Sequence, residues 1–302
     1  VRVVYVGTLG ECACIPLLAL LAAKIEVVGV VVPAPDRGRV RQRPPIRRLE
    51  PETPASLLPI ATPFVNATIV TIAWEHDIPA FEVGALADPA TLATWAALQP
   101  DVACVTCFPR RIPVDLLRVP RFGFLNLHPS LLPAYRGPAP LFWMLRNGEQ
   151  TGGVTLHVMD QSFDTGDIVS QVAFPLPDGS SGAELDRYWT TCSAELLLDG
   201  VRALNDGSFV RRRQPDGGSY QSWPAIEDFT IDRNWSARHA FNFMRGTDQW
   251  GHSYRIMIDN ESFELTAALD YDADITLETE FVLRERDIWI QFNPGILHAT
   301  LI

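Results

Sequence analysis

Four short apolar runs constrain the fold of this chain more than any other feature: Val1–Val6, Ile25–Val32, Asp101–Cys107 and Gly123–Leu127. Each is too short for a buried helix, and two are rich in valine, whose branched Cβ favours the pleated strand. Helical patterns lie between them, at Ile15–Lys24, Ile69–His76 and Pro89–Leu98. Strands that alternate with helices imply βαβ units and therefore an α/β fold with a Rossmann-like, mostly parallel sheet covered on both faces. Ligands of such sheets bind beyond the carboxyl ends of the strands.

The polar residues at one of those ends are Asn126 and His128, in Phe-Leu-Asn-Leu-His-Pro-Ser. Two apart on a strand, their side chains leave the same face. Pro129 removes a ladder donor and ends the strand where they point. An amide and an imidazole there can stabilise an oxyanion and handle a proton. A second apolar run leads to Asp160 and then to Asp164-Thr165-Gly166, where Asp164 begins a turn and is the natural third partner.

Other chemistries find less support. Gly7-Thr-Leu-Gly10 follows the first strand, but the run Gly-x-Gly-x-x-Gly is absent and no acidic residue closes the second strand, which argues against a nicotinamide cofactor. Cys104 and Cys107 are read as buried small hydrophobes, since no second pair completes a zinc site. Five cysteines without a dense spacing fit free thiols in a reducing compartment. His76, His157, His239, His252 and His298 are scattered without ligand-like pairing, so each is expected in a structural or surface role and no metal is expected. The apolar segment Cys12–Ala23 follows a strand, lacks a basic lead and is too short to span a bilayer. The default expectation is a cytoplasmic monomer that engages no membrane.

At 302 residues the chain calls for about two domains. A helical stretch, Ala183–Leu204, precedes the polar passage Arg211–Gly218, after which short alternating strands appear at Tyr254–Ile258, Phe281–Arg284 and Ile288–Phe292, with one helix near Ser236–Met244. Residues 1–210 are expected to form a catalytic domain that binds its small-molecule ligand unaided. Residues 211–219 are read as a linker, and 220–302 as a smaller, OB-like β-barrel.

Asn126, His128, Ser130-Leu131-Leu132-Pro133 and the distant Asp164-Thr-Gly, in order, resemble the active-site motifs of the 10-formyltetrahydrofolate-dependent formyltransferases. Trp235-Ser236 and Trp250-Gly251 extend the resemblance, more weakly, to the C-terminal barrel of the methionyl-tRNA formyltransferases. Asn234 replaces an acidic residue there, no proline follows Trp250, and Pro109 stands where the family tends to carry glycine. The resemblance implies formyl transfer from the N10 of the folate to a primary amine. Asn126 and His128 would serve as oxyanion donors, and Asp164 would orient His128, with the general base left open between these last two. It implies a folate pocket flanked by Thr106, Cys107, Phe108, Ser130, Leu131, Leu132, Pro133 and Asp160. Arg136 would hold the glutamate tail of the folate, hold the acceptor, or brace a loop.

The acceptor divides the family. Between Asp36 and Arg48 lie six arginines and one aspartate, and Arg37, Arg39, Arg41 and Arg43 resemble the basic loop with which tRNA formyltransferases enter the acceptor stem. Arginine in a proline-punctuated loop suits phosphate contacts. The formal charge of −11 and the ten acidic residues between Asp259 and Asp287 weigh against nucleic acid. Initiator Met-tRNA is the expected partner. The alternatives are an amino-sugar nucleotide, a formyl-folate hydrolase, which usually carries a further N-terminal domain, and a non-catalytic RNA-binding relative.

Overall fold

The computed structural model describes residues 1–35, 44–51 and 67–302. In chain order the elements are β1 (Arg2–Gly7), α1 (Cys14–Ala22), β2 (Glu26–Pro33), β3 (Ile46–Leu49), α2 (Ile69–Glu75), β4 (Ala80–Val83), α3 (Pro89–Leu98), β5 (Val102–Thr106), α4 (Val114–Leu117), β6 (Phe124–His128), α5 (Pro140–Arg146), β7 (Thr151–Val158), β8 (Ile168–Pro175) and α6 (Gly182–Asp206). The rest are β9 (Thr230–Ile231), α7 (Ala237–Gly246), β10 (Tyr254–Ile258), β11 (Glu261–Asp272), β12 (Phe281–Arg284), β13 (Asp287–Gln291) and β14 (Ile296–Leu301).

Two compact units are built from interleaved segments. Val1–Arg136, Gly153–Val172 and Trp189–Ser219 form the first; Gly137–Gly152, Ala173–Tyr188 and Tyr220–Ile302 form the second. The chain thus passes between units several times before the passage 211–219, which itself belongs to the first.

The first sheet has the order β3-β4-β2-β1-β5-β6-β7-β8. Its central strands β4, β2, β1, β5 and β6 are parallel, while β3 and β7 run against their neighbours β4 and β6. Strand order reverses between β1 and β5, one strand from β6, so the switch point at which doubly wound sheets bind ligands lies next to the strand that carries Asn126 and His128. Local signals set the helix ends. Asp88 caps α3 by accepting from Ala90 N at 2.8 Å, Pro89 occupies the first turn, and Gln99 closes the helix at φ 49°. Thr68 and Thr71 form a reciprocal cap on α2. One core of this unit packs Val4, Val6, Val31, Val105, Trp95 and Phe124, with Trp95 stacked on Phe124 at 5.3 Å. Along β6 the same face therefore runs from a buried aromatic at Phe124 to polar groups at Asn126 and His128.

The second unit carries a six-stranded sheet of order β12-β13-β14-β11-β10-β9, antiparallel throughout except where β9 joins β10 in parallel. Among the described residues no pairing joins β12 to β9, so of the OB-like barrel expected here the structure gives a second, mostly antiparallel sheet. The edge strand β9 is only two residues long. The apolar face is covered by α7, whose Ala240, Phe243 and Met244 share a core with Tyr254, Ile256, Leu265, Ile288 and Leu297. No helix among the described residues is long and apolar enough to cross a membrane.

Candidate active site

Asn126 lies directly across from His157 in the β6–β7 register, and His128 lies across from Thr155. Alternation puts all four side chains on one face, because both strands keep their pleat through this register. The Asn126 amide reaches His157 Nε2 at 3.1 Å, while His157 Nδ1 lies 3.3 Å from the carbonyl of Val158. A carbonyl only accepts, so Nδ1 carries the ring proton and Nε2 takes one from Asn126. Burial, reinforced by the nearby His128, pushes the His157 pKa down to about 4, so this ring is neutral near pH 7. One proton of the Asn126 amide is thereby engaged, and the other is left to donate.

His128 is bracketed. Its Nε2 is 2.9 Å from the carbonyl of Tyr135, which makes Nε2 a donor, and its Nδ1 faces Asp164 Oδ1 at 3.6 Å. The same Oδ1 is 3.7 Å from His157 Nε2. Asp164 thus sits between two imidazoles, its side chain about 15% exposed where those of His128 and His157 are at 5% and 1%. His128 Nδ1 and this carboxylate face each other without a direct hydrogen bond, at the separation of an ion pair.

The turn that presents Asp164 is braced from within and without. Asp160 accepts from Ser162 N at 2.9 Å and from the Thr165 hydroxyl at 2.8 Å. Val158 N donates to Asp167 O at 2.8 Å, and a Cβ on Gly166 would fall 1.7 Å from Val158 O, so only glycine allows this approach. Asp164 itself adopts φ 56°, a left-handed conformation that aspartate tolerates better than most side chains.

The segment after β6 is equally fixed. Ser130, fully buried, donates to Ala134 O at 2.7 Å. Thr155 donates to Ser130 O at 2.6 Å and accepts from Leu132 N at 3.0 Å, and Gln171 donates to Leu132 O and to the Thr155 hydroxyl, both at 2.9 Å. Leu131 covers Gly153, where a Cβ would lie 2.4 Å from its side chain. Leu132 is buried and Pro133 half-buried.

The remaining site candidates separate. The Thr106 hydroxyl is bound to Tyr5 Oη at 3.0 Å, on the face of β5 that also carries Cys104. Cys107 is exposed at φ 55°, and Phe108 packs against the Trp95 core. Arg136 donates to Gln214 Oε1 at 2.7 Å and to Gly217 O at 3.4 Å, so it braces the chain there. Arg37, Arg39, Arg41 and Arg43 lie outside the described residues. Arg47 and Arg48 just beyond pair with Glu82 and Glu50.

His157, expected in a structural or surface role, is buried and bonded to Asn126, and so takes a place in the cluster. The signal was available: Thr155 and His157 are two polar residues two apart in an apolar run, as Asn126 and His128 are. Gln214 left no such trace, because nothing local in Arg-Arg-Arg-Gln-Pro distinguishes a buried amide from a solvated one.

Residues 23–199 match the formyl transferase family. A methionyl-tRNA formyltransferase of Thermodesulfovibrio yellowstonii is 29% identical over 95% of this chain and 87% of its own length. One of Citrifermentans bemidjiense is 32% identical over 85% of this chain and 75% of its own. Among solved structures, the N-formyltransferase of Helicobacter canadensis, in complex with folinic acid and dTDP-3-aminofucose, aligns with a TM-score of 0.67 at 17% identity over 99% of this chain and 98% of its own, a likeness of fold. The chain therefore belongs to the formyl transferase family.

Proposed function

We propose that the protein transfers the formyl group of 10-formyltetrahydrofolate to the methionyl amine of initiator Met-tRNA. The observation that carries the reaction is the cluster at the end of β6, where His128 faces Asp164 and Asn126 is joined to the same carboxylate through His157. The similarity of most of the chain to methionyl-tRNA formyltransferases carries the acceptor. The folate supplies an activated formyl group and leaves through N10. The chain's own groups do the rest. Attack by the neutral amine forms the new C–N bond and places negative charge on the formyl oxygen, which the remaining Asn126 N–H stabilises. The His128–Asp164 pair takes the amine proton and returns it to N10 as the bond from N10 to the formyl carbon breaks, so charge and protons balance.

In this reading the strand end Thr106–Phe108, the segment Ser130–Pro133 and Asp160 frame the folate. Apolar Leu131, Leu132 and Phe108 suit a pteridine ring, and Thr106 and Asp160 contribute through backbone they hold in place. Arg37, Arg39, Arg41 and Arg43 meet the acceptor stem, and the protein works as a cytoplasmic monomer whose second sheet is an OB-like variant.

Formylation of Met-tRNA and of a panel of amino-sugar nucleotides, measured side by side, tests the assignment. Asn126→Ala is expected to lower kcat by about 10²- to 10³-fold. Met-tRNA turnover should fall steeply with salt, on the order of 0.9 log units of affinity per log unit of salt for each duplex phosphate contact. Replacing Arg39, Arg41 and Arg43 together by alanine should flatten that slope and leave folate binding unchanged. Turnover of a sugar nucleotide without any Met-tRNA formylation would move the acceptor to the second class.

A further inference from the structure

Gln214 is the one residue of the passage Arg211–Ser219 whose side chain is buried, at 6% exposure, between Arg213 and Asp216, whose side chains are 86% and 97% exposed. A segment that only spans two elements has no reason to turn an amide inward. Every hydrogen-bonding position of that amide is used. Nε2 donates to Asp164 O and to Gly166 O, both at 2.8 Å, and Oε1 accepts from Arg136 Nη2 at 2.7 Å and Nε at 3.2 Å. Arginine cannot accept, so Arg136 dictates which end of the amide is oxygen and therefore directs both N–H groups at the turn.

The two carbonyls it holds flank Thr165 and begin at Asp164, whose backbone is left-handed and needs support from outside the turn. Asp160 braces the turn from within through Ser162 and Thr165, and Gln214 braces it from the chain 50 residues away. The distance from Asp164 Oδ1 to His128 and His157 depends on that backbone. We infer that Gln214, its amide oriented by Arg136, is a positioning residue for the reaction: it fixes the Asp164–Gly166 turn so that the carboxylate meets His128. The inference rests on the reading that Asp164 takes part in formyl transfer.

Steady-state formylation of Met-tRNA, using 10-formyltetrahydrofolate and the whole 302-residue chain, tests this with Gln214→Met, Gln214→Glu, Arg136→Met, Asp164→Asn and the double variant Gln214→Met/Asp164→Asn. A displacement of the catalytic group on the order of 1 Å costs roughly 10²-fold. The two Gln214 variants should therefore lose about 10- to 100-fold in kcat, with both KM values within about twofold of wild type. Adding Gln214→Met to Asp164→Asn should cost nothing further, because the amide acts only through that carboxylate. Arg136→Met retains Gln214 and should show a smaller kcat loss, which keeps the test open if the Gln214 variants fold poorly. Wild-type kcat in the Gln214 variants, or a kcat loss that persists in full on top of Asp164→Asn, overturns the inference while the site stands. Wild-type turnover by Asp164→Asn overturns the site reading, and this inference with it.

Discussion

Asn126 can offer a substrate only one amide proton, because His157 Nε2 holds the other at 3.1 Å. That arrangement requires a neutral imidazole, and burial supplies the condition by depressing the His157 pKa to about 4 from an ordinary value of 6.5. The cost appears in acid. Between pH 6.5 and 4 the unfolded chain binds a proton at this position that the folded chain refuses, so stability is full above 6.5 and falls as pH drops toward 4. His157→Gln can still accept from Asn126 and has nothing to titrate. Thermal unfolding from pH 4 to 7.5 should show a shallower acid decline in the variant than in wild type; parallel curves would mean that other groups govern the acid limb.

At the scale of elements, the site is one antiparallel pair and one turn. The β6–β7 register brings Asn126 opposite His157 and His128 opposite Thr155, and a one-residue slip of β7 would send His157 and Thr155 to the other face, away from Asn126 and His128. The turn from Asp160 to Asp167 then has to fold back onto β7. It does so through Gly166, where a Cβ would overlap Val158 O at 1.7 Å. Gly166→Ala is expected to cost at least about 2 kcal/mol, because backbone rather than a side-chain tip must move. Activity should fall more than stability, since the same movement carries Asp164 from His128. Chemical denaturation alongside kcat would check both, and an alanine variant with wild-type kcat would show that the turn tolerates the shift.

For the whole molecule, the interleaving of units bears on how it can be divided. Residues 1–210 were expected to act as a self-contained domain, yet Gly137–Gly152 and Ala173–Tyr188 belong to the second unit. Phe142, Leu145 and Leu185 from those segments pack with Phe229, Phe243 and Tyr254, Phe142 lying 5.1 Å from Phe229 and 5.5 Å from Phe243. A fragment ending at Ser219 would leave these side chains in water at about 1.5–3 kcal/mol each. It should associate and bind a hydrophobic dye. Gel filtration with dye fluorescence would decide the matter, and a dye-silent monomer would show that the first unit needs no such partner.

Much of the site was legible in the chain because its cues are local. Val-rich runs at helix-length intervals specify a parallel sheet through side-chain shape and period alone. Asn126 and His128 share a face because two residues is the period of a strand, and Pro129 ends that strand wherever it folds. These determine the α/β class and the polar strand end. Tertiary structure decided what depends on pairing between distant segments. The register of β6 against β7 made His157 part of the cluster, and the return of the chain after α6 brought Gln214 to Asp164. The arrangement of the second sheet was also decided there, since short alternating strands look alike whether a barrel closes or α7 covers their apolar face. Periodicity is a property of neighbours along the chain, whereas register, closure and a buried amide are set by energies that exist only once remote segments meet.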